Sequence, residues 1–264
     1  MSKYLQRMSG NMIHKNIILT HIPYNKSIKV LDYGGGTGVV SERVKNTFPL
    51  AEVHYFDIDF DMCEIAERYY SAHFYYNYER DIMPQKFDVI ILSSVLHEIE
   101  KPALKLLSII HNFLKEGGKI IIRDGLRPSL GVKSETIIQI KTHEVERMRE
   151  YIQAIPSDSY LYDKVWIHDD NYLCANDYLM QSFLQTYTWG FESLQRETQQ
   201  DQLIFSIKQL QHIFANLSME INTLIPIRQD DYFNYLKDIV YLPPDPWDTH
   251  FFAVATKGET SEDL

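Results

Sequence analysis

The sequence predicts an α/β protein, built on a doubly wound, mostly parallel seven-stranded sheet with a helical insertion after the fifth strand. Three observations carry that reading. Short apolar strands alternate with amphipathic helices from residue 28 to residue 123. The run Val30-Leu31-Asp32-Tyr33-Gly34-Gly35-Gly36-Thr37-Gly38 sets a strand, an acidic residue, alternate glycines and a helix start in one stretch. Glycine lacks Cβ and admits both positive φ and a close approach to the backbone, and a helix start there presents unpaired N–H groups. Finally, the strand ends carry Asp32, Asp57, Asp81, Ser93 and Asp124, and ligands of open α/β sheets bind beyond those ends.

Each element follows from its pattern. Leu5, Met8, Met12, Ile13 and Ile17 keep one face apolar, which predicts a helix over 3–22, ended by Pro23. Strand 28–32 precedes a helix over 37–48, with Val40 and Val44 inward. Alternation predicts strand 52–57, followed by helix 60–71 and a short aromatic strand 74–78. The continuous apolar run 87–92 suits a parallel strand covered on both faces. Helix 102–114 buries Leu106, Ile109, Ile110 and Phe113, and Glu116-Gly117-Gly118 turns the chain into strand 119–123. The alternation then breaks. Helices are predicted over 133–154 and 172–187, separated by an aromatic loop over 155–170 in which His168-Asp169-Asp170 starts the second helix, capped by Asp170 or Asn171. An αβ connection takes a handful of residues, so these ~75 residues are an insertion with its own task. Helix 201–216 and strands 219–225 and 251–256 resume the order.

Composition bounds the class. The chain has 264 residues, 45% hydrophobic and 23% charged, with net charge -10 and pI ≈ 5.4. Binding to a phosphate backbone needs clustered Lys and Arg, so a nucleic-acid partner is disfavoured. No apolar run approaches the roughly 20 residues of a membrane span. The cysteines, Cys63 and Cys174, are far apart and form no CxxC pair, which points to a reducing cytoplasm.

Asp32, Gly34, Gly36 and Gly38 match D/E-x-G-x-G-x-G without a gap, so the chain resembles class I S-adenosylmethionine-dependent methyltransferases over about residues 28–125 and 201–257. The resemblance implies a Rossmann-like sheet whose last strand inserts antiparallel, and S-adenosyl-L-methionine as cofactor. Its loop would be Asp32, Tyr33, Gly34, Gly35, Gly36 and Gly38. Asp57 stands where the family grips the ribose hydroxyls, since a carboxylate accepts through two oxygens. Ile58 would pack against adenine or ribose, Asp81 would receive the adenine amino group and Ile82 would cover the ring. Ser93 and Ser94 sit where the fourth strand opens toward the sulfur. In the family's D-x-S-x-x-M, Asp59 replaces the serine and Met62 is kept.

The segment Val95-Leu96-His97-Glu98-Ile99 resembles one found in small-molecule O- and N-methyltransferases, where a histidine deprotonates a hydroxyl; an imidazole titrates in the right range. His97 either acts so or caps the next helix and lines the pocket, and Glu98 either orients it or lies on the surface. Asp124 either supports the acceptor or caps a turn. Tyr187 and Trp189 either wall the acceptor or pack, and for Phe74-Tyr75-Tyr76 packing is favoured. The resulting division is 1–125 for the N-terminal helix and cofactor half, 126–200 for an acceptor lid, 201–257 completing the sheet, and a polar tail 258–264. The expected activity is methyl transfer to oxygen or nitrogen of a small-molecule acceptor. Alternatives are a protein- or RNA-directed enzyme, a non-catalytic cofactor-binding partner, or a different group transfer from the same cofactor; the aromatic insertion can equally serve a homodimer.

Other motifs fail. A nicotinamide loop needs a third glycine where Val39 stands. A calcium loop starting at Asp57 has Met62 at the glycine position and Arg68 at the twelfth. His97-Glu98 lacks the second histidine of H-E-x-x-H. Ser93 replaces the acidic residue of metal-dependent catechol enzymes, so no metal is expected.

Overall fold

The computed structural model describes residues 15–24, 26–98, 103–128 and 135–258. Its elements are α1 (Asn16–Leu19), β1 (Lys29–Tyr33), α2 (Val39–Thr47), β2 (Glu52–Phe56), α3 (Phe60–Tyr69), β3 (Phe74–Tyr76), α4 (Glu79–Ile82), β4 (Phe87–Ser93), α5 (Ala103–Phe113) and β5 (Leu114–Gly125). Then come β6 (Glu135–Gln139), α6 (Val145–Gln153), β7 (Trp166–His168), β8 (Tyr172–Asn176), α7 (Asp177–Trp189) and α8 (Leu194–Glu197). The last are α9 (Ile207–Asn216), β9 (Met219–Ile227), α10 (Asp230–Leu236) and β10 (His250–Lys257).

Seven strands form one sheet in the order β3-β2-β1-β4-β5-β10-β9. The pairs β1/β2, β1/β4, β2/β3 and β4/β5 are parallel. The chain builds outward from β1 through β2 to β3, then resumes on the other side of β1 with β4. That reversal is the topological switch point, and it lays the β1 and β4 ends side by side. Val30, Leu31, Val89, Ile90, Ile91, Leu92, Ile120, Ile121 and Ile122 are all buried, as strands covered on both faces require.

The chain divides into two compact units, Met1–Asp124 with Leu210–Ile225 and Phe252–Leu264, and Gly125–Gln209 with Pro226–Phe251. The second unit has its own core, in which Met148, Tyr151, Leu161, Leu173, Phe183, Leu184 and Leu236 are fully buried. It also has its own three-stranded sheet, β6-β8-β7, with both pairings antiparallel.

Several local expectations are corrected. Helix 133–154 is instead strand β6, a 3-10 turn at Thr142–Glu144 and α6. Helix 172–187 is instead β8 followed by α7. Each stretch joins a short strand to a helix, and the apolar residues of the strand, such as Ile138 and Leu173, fall in step with the helical spacing that follows. His168-Asp169-Asp170 does not start a helix: Asp169 and Asp170, at φ 45 and 63, make the turn between β7 and β8. The true cap is Asn176, whose side chain accepts from the Leu179 N–H at 2.9 Å. Glu116-Gly117-Gly118 does not precede the strand but lies within β5 as a bulge, between the pairings Phe87↔Leu114 and Val89↔Lys119. Of the helix expected over 3–22, residues 1–14 lie outside the described residues, and α1 ends at Leu19, short of Pro23. Helix 201–216 starts later, at Ile207.

Candidate functional site

The glycine loop leaves β1 and is tied to the end of β2, where Phe56 O accepts from the Gly34 and Gly35 N–H groups at 2.8 and 3.0 Å. Gly34 has φ +68, and a Cβ there would lie 2.1 Å from Val95 Cγ2. Gly38 has φ +87, and its Cβ would meet Ala66 Cβ at 2.9 Å. No other residue meets both the backbone and the packing demand at these two positions. The Tyr55 hydroxyl donates to Gly36 O at 2.5 Å and holds the bend from beneath.

Asp57 stands directly after β2. Its Oδ2 accepts from the Gly36 N–H at 2.8 Å and its Oδ1 from the Asp59 N–H at 2.9 Å. Burial pushes its carboxyl upward, and those backbone donors oppose the rise. Two oxygens carry about four acceptor positions, so the carboxylate retains capacity for a pair of ligand hydroxyls. Next to it Ile58 is 79% exposed, a large apolar side chain left on an open rim. Asp59 caps α3, accepting from Asp61 and Met62 N–H. A serine would cap in the same way. Asp32 is buried and accepts from Ser41 Oγ at 2.7 Å; burial pushes its carboxyl up to about 6.

At the end of β4, Ser94 turns the chain at φ 58 and its N–H donates to Arg123 O at 2.7 Å. Arg123 Nη1 donates back to Ser94 Oγ at 3.0 Å. A 3-10 turn, Leu96–Glu98, follows. The Asp124 carboxylate is wholly buried under it: Oδ2 accepts from Val95 and Leu96 N–H at 3.0 and 2.8 Å, and Oδ1 meets His97 Nδ1 at 2.6 Å. An ionised carboxylate only accepts, so with Asp124 ionised the proton lies on Nδ1 and Nε2 is the basic nitrogen. Glu98 Oε1 lies 3.9 Å from that Nε2.

Some expected site residues stand elsewhere. Asp124 caps a turn and holds His97, so it is not an open acceptor contact. Asp81 and Ile82 do not follow a strand end: β3 stops at Tyr76, and both fall on α4. Asp81 is exposed beside Arg80, and Ile82 is fully buried, which removes it as a cover for a ligand ring. Tyr187 is a core residue of the second unit, stacked on Phe183 and donating to Glu144 Oε2 at 2.7 Å. Trp189 is the half-buried last residue of α7. Phe74 and Tyr76 pack on the His54 ring. Sequence reasoning missed Glu79 and Arg123. Glu79 Oε1 accepts from the Tyr33 hydroxyl at 2.5 Å. For Arg123 the signal was present: a charged residue closing the otherwise apolar Ile120-Ile121-Ile122.

A side-chain-free bend, an acceptor-rich carboxylate at the next strand end and an open apolar neighbour are together complementary to a nucleoside with a thioether or sulfonium tail. The chain matches the model of a methyltransferase domain family over residues 4–216 and belongs to that family. It is an S-adenosyl-L-methionine-dependent methyltransferase. No curated protein sequence matches it. Among solved structures it is similar to a complex between the Haloferax volcanii Trm112 methyltransferase activator and a methyltransferase, at 13% identity and TM-score 0.56, covering 96% of this chain and 94% of that one. A SAM-dependent methyltransferase from Archaeoglobus fulgidus gives 13% identity and TM-score 0.55, covering 97% and 100%. The O-methyltransferase of a Brevibacillus brevis trans-AT polyketide synthase, bound to S-adenosyl-L-homocysteine, gives 13% and TM-score 0.50, covering 97% and 76%. Likeness at this identity establishes the fold. Among the described residues no helix is long and apolar enough to cross a membrane.

Proposed function

We propose that the protein methylates an oxygen or nitrogen of a small-molecule acceptor, with His97 as general base. The observation that carries this is the 2.6 Å contact between His97 Nδ1 and the buried Asp124, immediately beyond the end of β4. The cofactor supplies an electrophilic methyl group on a sulfonium. Asp57 binds the ribose hydroxyls through the lone pairs that its two backbone donors leave over, and the Gly34–Gly38 bend accommodates the tail. His97 Nε2 takes the proton of the acceptor hydroxyl or amine, and Asp124 holds the ring and stabilises the imidazolium that results. Positioning and exclusion of water supply the rest of the rate. We assign acceptor selection to the insertion 126–200, on its place in the chain. The acidic balance of -10 supports a small molecule over nucleic acid. Two free, buried cysteines support a reducing cytoplasm.

Calorimetric titration tests the cofactor half of this reading. S-adenosylmethionine and S-adenosylhomocysteine are expected to bind with Kd on the order of micromolar, and Asp57→Ala to weaken both at least tenfold. Absence of heat with either ligand refutes the site. Turnover with a metabolite panel, followed by S-adenosylhomocysteine release, tests the acceptor half. Release with protein or RNA extract alone would replace the small-molecule reading.

A further inference from the structure

Arg123 is 2% exposed, at the end of a strand between β4 and β10. Its Nη1 is bonded to Ser94 Oγ, yet its Nε, also buried, has no hydrogen-bond partner. The strand register sets Ser93 directly beside it, and Ser93 Oγ is likewise buried without a partner. Among the described residues no carboxylate lies within ion-pair distance of the guanidinium. Asp124, the adjacent residue, spends its two oxygens on the 96–98 turn and His97. Lys15 feels the charges of Arg123, Asp32 and Glu98, and loss of water followed by repulsion from Arg123 brings its ammonium down to about 8. The guanidinium itself is lowered to about 10 by burial.

A desolvated guanidinium with an idle donor is costly to the fold. The orphaned Ser93 hydroxyl beside it raises that cost. Both groups are complementary to one chemistry: a planar oxyanion that takes the guanidinium fork and a hydroxyl together. Arg is suited to carboxylates by its fixed planar fork. We propose that Arg123 and Ser93 form a carboxylate-binding subsite at the ends of β4 and β5. It rests on the proposed function only in that its carboxylate has two sources there, the amino-acid tail of the cofactor or the methyl acceptor itself.

The test uses the full chain and three probes. S-adenosylhomocysteine carries the carboxylate, 5′-methylthioadenosine is the same nucleoside without the amino-acid tail, and sodium malonate, set against sodium chloride at equal ionic strength, is a free carboxylate read by thermal shift. If the cofactor is the source, Arg123→Gln weakens S-adenosylhomocysteine by ~10- to 100-fold and leaves 5′-methylthioadenosine unchanged. If the acceptor is the source, both nucleosides bind Arg123→Gln as they bind wild type, and the malonate shift seen in wild type disappears. A folded Arg123→Gln that changes none of the three overturns the proposal. Should that variant fail to fold, Arg123→Lys keeps the charge and loses the fork: a reduced response to S-adenosylhomocysteine or malonate supports the subsite, and a wild-type response to both overturns it. Ser93→Ala is expected to lower the same response by ~3- to 10-fold. Wild type that binds neither nucleoside but shows an Arg123-dependent malonate shift would sink the nucleoside site and keep this one.

Discussion

His97 and Asp124 are separated by 27 residues, and their Nδ1···Oδ1 contact of 2.6 Å fixes the imidazole on the end of β4. The other oxygen of the same carboxylate receives the Val95 and Leu96 N–H groups. One side chain therefore sets both the turn that carries the ring and the tautomer the ring adopts.

Asp124→Asn is expected to keep the turn, because an amide oxygen still accepts from Val95 and Leu96. Its NH2 group then faces Nδ1 and favours the opposite tautomer. Turnover should fall ~10²- to 10⁴-fold, the range of general base catalysis, with S-adenosylhomocysteine affinity unchanged by calorimetry. Asp124→Ala should in addition lose about 1–3 kcal/mol of stability, from buried donors left unpaired. Wild-type turnover in Asp124→Asn would exclude the dyad from the reaction.

Gly34→Ala and Gly117→Ala form a contrasting pair. Both glycines have positive φ, +68 and +69, but a Cβ at 34 would lie 2.1 Å from Val95 Cγ2 whereas nothing lies within 4 Å at 117. Gly117→Ala should cost about 1–2 kcal/mol from backbone conformation alone. Gly34→Ala adds an overpacking cost of about 1–3 kcal/mol. Urea unfolding midpoints measure both, and equal losses would mean that Val95 yields freely.

Asp32 makes a pH prediction of definite sign. Burial raises its carboxyl from 3.8 to about 6, so between those values the folded state binds more protons than the unfolded state. Its contribution to stability therefore falls as pH climbs through that window and is flat above it. The loss amounts to roughly 3 kcal/mol. Measured against Asp32→Asn, which keeps an acceptor for Ser41, wild type should lose stability relative to the variant from pH 4 to pH 6. A pH-independent difference would show that Asp32 is ionised at ordinary pKa.

Tyr187→Phe tests the assignment of that residue to the core. Removing the hydroxyl strips Glu144 Oε2 of a bond at 2.7 Å and should cost about 1 kcal/mol in denaturant. Cofactor affinity should not move. A change in acceptor KM without a stability change would return Tyr187 to the acceptor wall.

Local features were legible in the chain. The glycine bend, the parallel strands 87–92 and 119–123, and Asp57 could be read because each depends on residues a few positions apart: backbone freedom, a continuous apolar run, an acidic residue at a strand end. Reading failed where two elements abut without a glycine or proline between them, as at Gln139 to Val145 and at Asn176 to Asp177. There the apolar spacing of a helix and the alternation of a short strand run into each other. It failed at Asp81 for a related reason, since the early stop of β3 could not be seen in the aromatic run Phe74 to Tyr78.

By itself the sequence determined the sheet, the glycine bend and the cofactor class, because period, glycine placement and strand-end acidity are properties of neighbouring residues. Only the tertiary structure decided that Asp124 serves His97, that Ser93 and Arg123 stand side by side with unused donors, and that Tyr187 belongs to a second core. Those pairings follow from strand register and from the packing of segments distant in the chain, and no local pattern encodes the distance between two side chains that meet only when β4 and β5 align.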